Sequence, residues 1–293
     1  MSIKNHAMLV SLSVGKPQMT KKDEKATVSA EVANNAYGAG QYRKDLYPKS
    51  LVQPIMSVES SARAYIEGTT YKWTRTENLL PTARFMEFTE RIGKFQVEFD
   101  QCVTAFLNNW SNVMQQAQQH QGDLFDASAY PDLTDLRSDF RFRVHYRPVT
   151  DAQDFRVAMQ DDEMDALRAE VEQATKESMD NMMRAPLERL KDVVQKLHDV
   201  TNKTDRETVN KRTGIAETKP PIFRDSVCEN IMEEIALLQA FADVLPFEIT
   251  SLARTVVDVT PHPQQLRDNP EKRKEVSIQT AALLDSINAM LED

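Results

Sequence analysis

The sharpest chemical pattern in this sequence is a run of cations alternating with aromatic residues. Residues 137–159 read RSDFRFRVHYRPVTDAQDFRVAM. Arg141, Arg143, His145 and Arg147 fall on one side of a period of two, and Phe140, Phe142, Val144 and Tyr146 on the other. A strand sends successive side chains to opposite faces, so this spacing predicts three guanidiniums and an imidazole in one row. Such a row grips phosphates, with Arg137 and Arg156 as neighbours and the aromatics as stacking surfaces. The same alternation also predicts a plainer outcome, in which the aromatics fill a core and the arginines form a solvated face. Asp139, Asp151 and Asp154 would then be their counter-ions, and solvated faces are the commoner fate of charge runs.

Other chemistries find less support. The five histidines, His6, His120, His145, His198 and His262, are far apart, and none has a second histidine at i+3 or i+4. No metal site can be assembled from that spacing. Asp161-Asp162-Glu163 and Glu233-Glu234 have the charge to hold magnesium, but such clusters usually open helices or coat their solvated faces. Gly15-Lys16 lacks the upstream glycine of a phosphate loop, and Gly38-Ala39-Gly40 is an isolated flexible pair. No serine sits in a nucleophile elbow. Cys102 and Cys228 both fall within helical patterns, where a thiol packs as a small apolar group. The expectation is a protein with no catalytic residues, no cofactor and no metal.

Charge narrows the place where a polyanion would bind. The chain of 293 residues carries 36 basic and 45 acidic side chains, a net charge of -9. Residues 1–150 hold 18 basic and 16 acidic residues, whereas 151–293 hold 18 and 29. The acidic half repels a phosphate backbone, which leaves the first half as the region to search. Two cysteines are too few for a disulfide scaffold and point to a reducing compartment. No run approaches the roughly 18 apolar residues of a membrane span, and no export signal is visible.

The elements that would position these residues follow from periodicity. Met8, Val10, Leu12 and Val14 alternate as a strand over 7–14. A short helix is expected over 26–37, ended by Gly38 and Gly40. Leu51, Ile55, Val58, Ala62 and Tyr65 mark a helix face, and Tyr71 and Trp73 open an extended stretch. After Pro81 comes the strongest signal: Phe85, Phe88, Ile92, Phe95, Phe99, Val103, Phe106, Trp110 and Val113, spaced by three and four. One helix of about 39 residues, roughly 58 Å long, would carry them. Aromatics this bulky suit a broad core packed by several neighbours better than a slender coiled-coil seam, with surplus surface for an oligomer. A second long helix is expected over 161–203, kinked at Pro186, with Met179, Met182 and Met183 on its apolar side. The polar stretch 204–221 reads as a linker, and 222–243, 247–258 and 271–291 as helices.

Several ordered pieces carry a family resemblance. These are the strand at 7–14, SAEVANNAYGAGQYRKDLYPK at 29–49, TTYKW at 69–73, SDFRFRVHYRPVTDAQDFRV at 138–157 and FRDSVCENI at 223–231. Across 7–240 the chain resembles a family of uncharacterised proteins of bacteriophages and integrative conjugative elements. The resemblance implies a gene neighbourhood with a MoxR- or CobS-like AAA ATPase, and in some cases with recombination and single-strand-binding genes. It implies no catalytic residue.

The expected fold is mainly α with a small β element, an α+β chain built on a long antiparallel helical hairpin. Its regions would be a strand and helix at 1–80, the hairpin at 81–203 with a β-hairpin insert at 137–159, the linker, and a helical region at 222–293. The expected function is a non-catalytic accessory protein of phage or mobile-element DNA metabolism in the cytoplasm of a bacterial host. It would form a homo-oligomer and partner an AAA ATPase. The alternative is single-stranded DNA binding through Arg137, Arg141, Arg143, His145, Arg147 and Arg156. A third class, a structural or host-defence-blocking protein, would assemble stably without either partner.

Overall fold

The computed structural model describes residues 3–149, 161–203, 206–209, 216–219 and 224–292, with the backbone alone at 161–168, 206–209 and 216–219. The chain begins with strands β1 (Ala7–Gly15) and β2 (Thr20–Lys22), helix α1 (Glu24–Asn34), β3 (Arg43–Asp45) and α2 (Lys49–Thr69). Next come β4 (Tyr71–Lys72), β5 (Asn78–Pro81), α3 (Phe85–Asn108), α4 (Trp110–Gln121), α5 (Leu133–Asp139) and β6 (Arg141–Pro148). The remainder is α6 (Asp161–Thr201), β7 (Arg206–Val209), β8 (Ala216–Lys219), α7 (Ser226–Ala240), α8 (Phe247–Val259), α9 (Pro263–Asp268) and α10 (Pro270–Glu292). The protein is mainly helical with a small antiparallel β element, as the periodicities predict. Four strands form one sheet in the order β4-β5-β1-β6, and β2 pairs with β3.

The chain divides into two compact units, one of residues 1–9, 69–84 and 147–293, the other of 10–68 and 85–146. In the second unit the aromatic stripe of α3 is the core. Phe88, Ile92, Phe95, Phe99, Val103 and Phe106 are all buried. Tyr65 of α2 stacks on Phe88 with ring centroids 5.7 Å apart and leans on Phe95 at 5.9 Å. The inward face of β6 meets the same helix: Phe142 lies 5.5 Å from Phe99, and Phe140 lies 5.8 Å from Phe106. Bulky rings need wide spaces between elements, and a strand packed on a helix supplies them.

The single helix of about 39 residues expected after Pro81 is two helices, Phe85–Asn108 and Trp110–Gln121. Asn109 leaves the helical region (φ -96°, ψ 18°), and its N–H is shared between the carbonyls of Ala105 and Phe106. Asparagine is a poor helix former because its side chain competes for backbone groups, and two of them occur here in succession. The stripe nevertheless continues through α4, where Val113 and Ala117 are buried.

Close approach explains Gly15. A Cβ at this position would lie 2.7 Å from the carbonyl oxygen of Asp139, at the point where β1 meets the start of β6. Gly15→Ala is expected to lower stability by about 1–3 kcal/mol, because backbone must move to admit the methyl group. A shifted urea midpoint with unchanged slope would show it, and an unchanged midpoint would refute the close-approach argument.

In the first unit α6 is the organising element. Its partner is α10: His198 Nδ1 lies 3.0 Å from the Ser277 carbonyl, and Met183 and Leu187 share a cleft with Met290 and Leu291. Those pairings run in opposite directions, so the two helices are antiparallel. The long antiparallel pair is therefore α6 with α10, where the periodicity alone pointed to 161–203 with the aromatic helix. The reason is that α3 buries its stripe within its own unit. Pro186 lies inside α6 without ending it. Met182, Leu190, Val194, Leu197, Ile231 and Phe241 form the heart of this core. Within 204–221, expected as a linker, β7 and β8 pair antiparallel, with Arg206 opposite Lys219 and Val209 opposite Ala216.

Candidate nucleic-acid interface

Strand β6 realises the alternation read from the sequence. Arg141, Arg143, His145 and Arg147 are exposed, while Phe142 is buried and Val144 half-buried. Tyr146 is 37% exposed, yet its ring is held edge-on to Phe85 at 5.5 Å and to Phe88 at 6.4 Å. The face that packs on α3 fixes the outward direction of the other, so the arginines cannot turn inward. Side chains two apart on a strand stand about 6.7 Å from one another. Phe140 and Phe142 fill the space over α3, the plainer of the two outcomes the alternation predicts, while Tyr146 keeps an exposed edge.

The charges in this row have different fates. Arg147 forms an ion pair with Glu77 in the turn after β4. Arg141 and Arg143 have no ion pair among the described residues, and Asp139, expected as their counter-ion, does not supply one. Arg137 is exposed in the last turn of α5, away from the strand's alternation. Arg156, Asp151, Asp154 and the second arm of the expected hairpin lie outside the described residues. The row brought together is thus Arg141, Arg143 and His145, with Arg147 partly neutralised.

Buried charges elsewhere are used structurally, and sequence reasoning missed the most deeply placed of them. Glu234 of α7 is 4% exposed, whereas its neighbour Glu233 is in solvent. Arg189 of α6 donates from Nη2 to Glu234 Oε2 at 2.6 Å, and Tyr71 of β4 donates its hydroxyl to Oε1 at 2.9 Å. Arg189 also donates to the Thr70 carbonyl at 3.2 Å and lies over the Tyr71 ring, 5.4 Å from its centroid. Burial raises the Glu234 carboxyl above its usual range, with Arg189 and the Tyr71 hydroxyl opposing it. Burial beside that carboxylate also pushes the Tyr71 phenol well above its ordinary value. The pair Glu233-Glu234, weighed as a magnesium cluster, is split by the helix into one solvated and one buried residue. No group of potential ligands with metal geometry occurs among the described residues.

In the second unit, Lys16 donates to Glu59 at 2.6 Å, and Arg63 lies 2.9 Å from the other carboxylate oxygen. Burial would raise Glu59, but these two cations together hold it below its usual range. Lys16 is thereby committed to an internal carboxylate. Buried Lys44 bridges Asp23, at 3.1 Å, and the Leu124 carbonyl. Burial pushes up the thiols of both Cys102 and Cys228, which keeps them protonated and poor as nucleophiles. No described helix is long and apolar enough to cross a membrane. No protein-family model, curated protein or solved structure matches this chain.

Proposed function

We propose that this chain is a non-catalytic accessory protein of phage or mobile-element DNA metabolism, acting as an oligomeric adaptor or partner of an AAA ATPase. The ordered resemblance across 7–240 supports this reading. The physical observation that carries it is the charge of residues 151–293, 29 acidic against 18 basic, which favours a basic protein partner over a polyanion. The test is a pull-down of a MoxR- or CobS-like AAA ATPase by this chain. Retention that weakens as salt rises is expected, and no retention at low salt would sink the adaptor reading.

A second reading, single-stranded DNA binding by β6, is favoured by one observation: Arg141 and Arg143 stand exposed in one row without a carboxylate among the described residues. A gel shift at two salt concentrations tests it. Arg141→Ala with Arg143→Ala should weaken binding and flatten the salt dependence by about 1.4 in log–log slope, the counterion release of two phosphate contacts on a single strand. An unchanged slope would remove β6 from consideration.

A further inference from the structure

Aromatic rings more exposed than those of β6 are found elsewhere in the same unit. Tyr37, 76% exposed, lies in the loop between α1 and β3, and Tyr42, 45% exposed, immediately precedes β3. We propose that the ribbon of β2 and β3 and the loop 35–42 form a contact for single-stranded nucleic acid, in which Tyr37 and Tyr42 stack on bases and Lys22 and Arg43 meet phosphates. The proposal rests on the single-strand reading above but on different residues.

Three observations carry it. First, the loop holding the rings is tied down at several points. The N–H groups of Ala36 and Gly38 donate to the carbonyl and carboxylate of Glu31 at 3.0 and 2.8 Å. The Tyr42 N–H donates to Thr27 Oγ1 at 3.0 Å, and the Tyr42 carbonyl accepts from the Asp23 N–H at 3.0 Å. Asn35 and Gly38, at φ 48° and 72°, reverse the chain between these ties. An ordered loop presents its rings with little further ordering to lose on binding. Base–aromatic stacking then takes any base, because every base has a π-face.

Second, the register of the ribbon sets Lys22 directly opposite Arg43. Like charges in that position repel across the strands, and a phosphate between them removes the repulsion. The Arg43 guanidinium is engaged by Thr20, whose Oγ1 accepts from Nε and Nη2 at 3.2 Å, which leaves Nη1 to meet a phosphate. Third, three of the four carboxylates of residues 16–49 are already engaged, Asp45 of β3 by Lys49 at 3.6 Å. Asp23 takes Lys44 and the Ala26 N–H, and Glu31 takes Gly38. Of the seven basic side chains in residues 16–49, Lys16, Lys44 and Lys49 are paired with carboxylates, which leaves Lys21, Lys22, Lys25 and Arg43 against Glu24 and Glu31. A protein partner docking on exposed Val28 and Val32 of α1 is the rival, but it would not account for cations facing each other across the ribbon.

The experiment uses the full chain, fluorescein-labelled oligothymidylate and an abasic strand of equal length, followed by anisotropy at two salt concentrations. Tyr37→Ala with Tyr42→Ala should weaken oligothymidylate binding about tenfold or more and leave the abasic strand unaffected, while Tyr37→Phe with Tyr42→Phe keeps wild-type affinity. Lys22→Ala with Arg43→Ala should flatten the salt dependence for both strands. Affinity of the double alanine variant within twofold of wild type overturns the proposal, as does a wild-type chain that binds neither strand. The pair Arg141→Ala and Arg143→Ala separates the two sites. Loss there with the tyrosines dispensable leaves β6 and removes the ribbon, and the opposite result does the reverse.

Discussion

Arg189→Ala is expected to lower the stability of the folded chain by about 3–5 kcal/mol, read as a drop in the denaturant midpoint. The substitution leaves Glu234 buried with only the Tyr71 hydroxyl, and a carboxylate stranded in an apolar core is costly. It also removes the donor to the Thr70 carbonyl and the cation above the Tyr71 ring. Replacing the pair together, Arg189→Met with Glu234→Leu, should recover much of the loss, because apolar side chains of similar volume need no compensation. A double variant as unstable as the single one would show that the triad does more than satisfy its own charges.

The same triad sets an acid response. Glu234 has its folded value raised, so the folded chain takes up that proton before the unfolded chain does as pH falls. Its contribution to stability is fully present below the ordinary carboxylate range and is lost as pH rises through the raised value. Glu59 and Asp23 have lowered values and behave in the opposite way: their contribution is present above the ordinary range and lost in acid. The difference in stability between wild type and Glu234→Gln should therefore move in favour of wild type as pH falls from 7 towards 4. A difference constant over that interval would contradict the burial argument for Glu234.

Phe99→Ala is the second large effect, about 3–5 kcal/mol. Phe99 is fully buried in α3, and its ring meets Phe142 of β6. Truncation leaves a cavity between helix and strand, and neither element can collapse into it without moving the rest of the stripe. Phe99→Leu keeps most of the volume and should cost much less. Because the inner face of β6 rests on this ring, loss of Phe99 should also disturb the row of Arg141 and Arg143. Any nucleic-acid binding by β6 would then weaken in the alanine variant even at temperatures where the chain remains folded, and unchanged binding would show that the row does not depend on that support.

Patterns with short periods were legible in the sequence. The alternation over 140–147 placed the arginines outward and Phe140 and Phe142 inward, because strand geometry leaves no other choice once one face is buried. The spacing of three and four from Phe88 to Phe106 marked the buried side of α3 for the same reason. Interactions between distant residues were not legible. Tyr71 and Glu234 are 163 positions apart, and no local pattern distinguishes Glu234 from its solvated neighbour Glu233. The ribbon of β2 and β3 is short and polar, so its register, and with it the pairing of Lys22 with Arg43, has no periodic signal.

The sequence by itself determined the helical content, the direction of each face and the split between a near-neutral half and an acidic half. Only the tertiary structure decided which helix accompanies α6, since an apolar stripe states that it must be covered but not by what. It also decided which aromatics remain available to a ligand. Phe142 of β6 is spent on the core and the Tyr146 ring packs on Phe85 and Phe88, whereas Tyr37 and Tyr42 stand exposed on a loop tied by hydrogen bonds to Glu31 and Thr27. Periodicity reports burial within one element, and burial across elements depends on the neighbours that the fold brings to it.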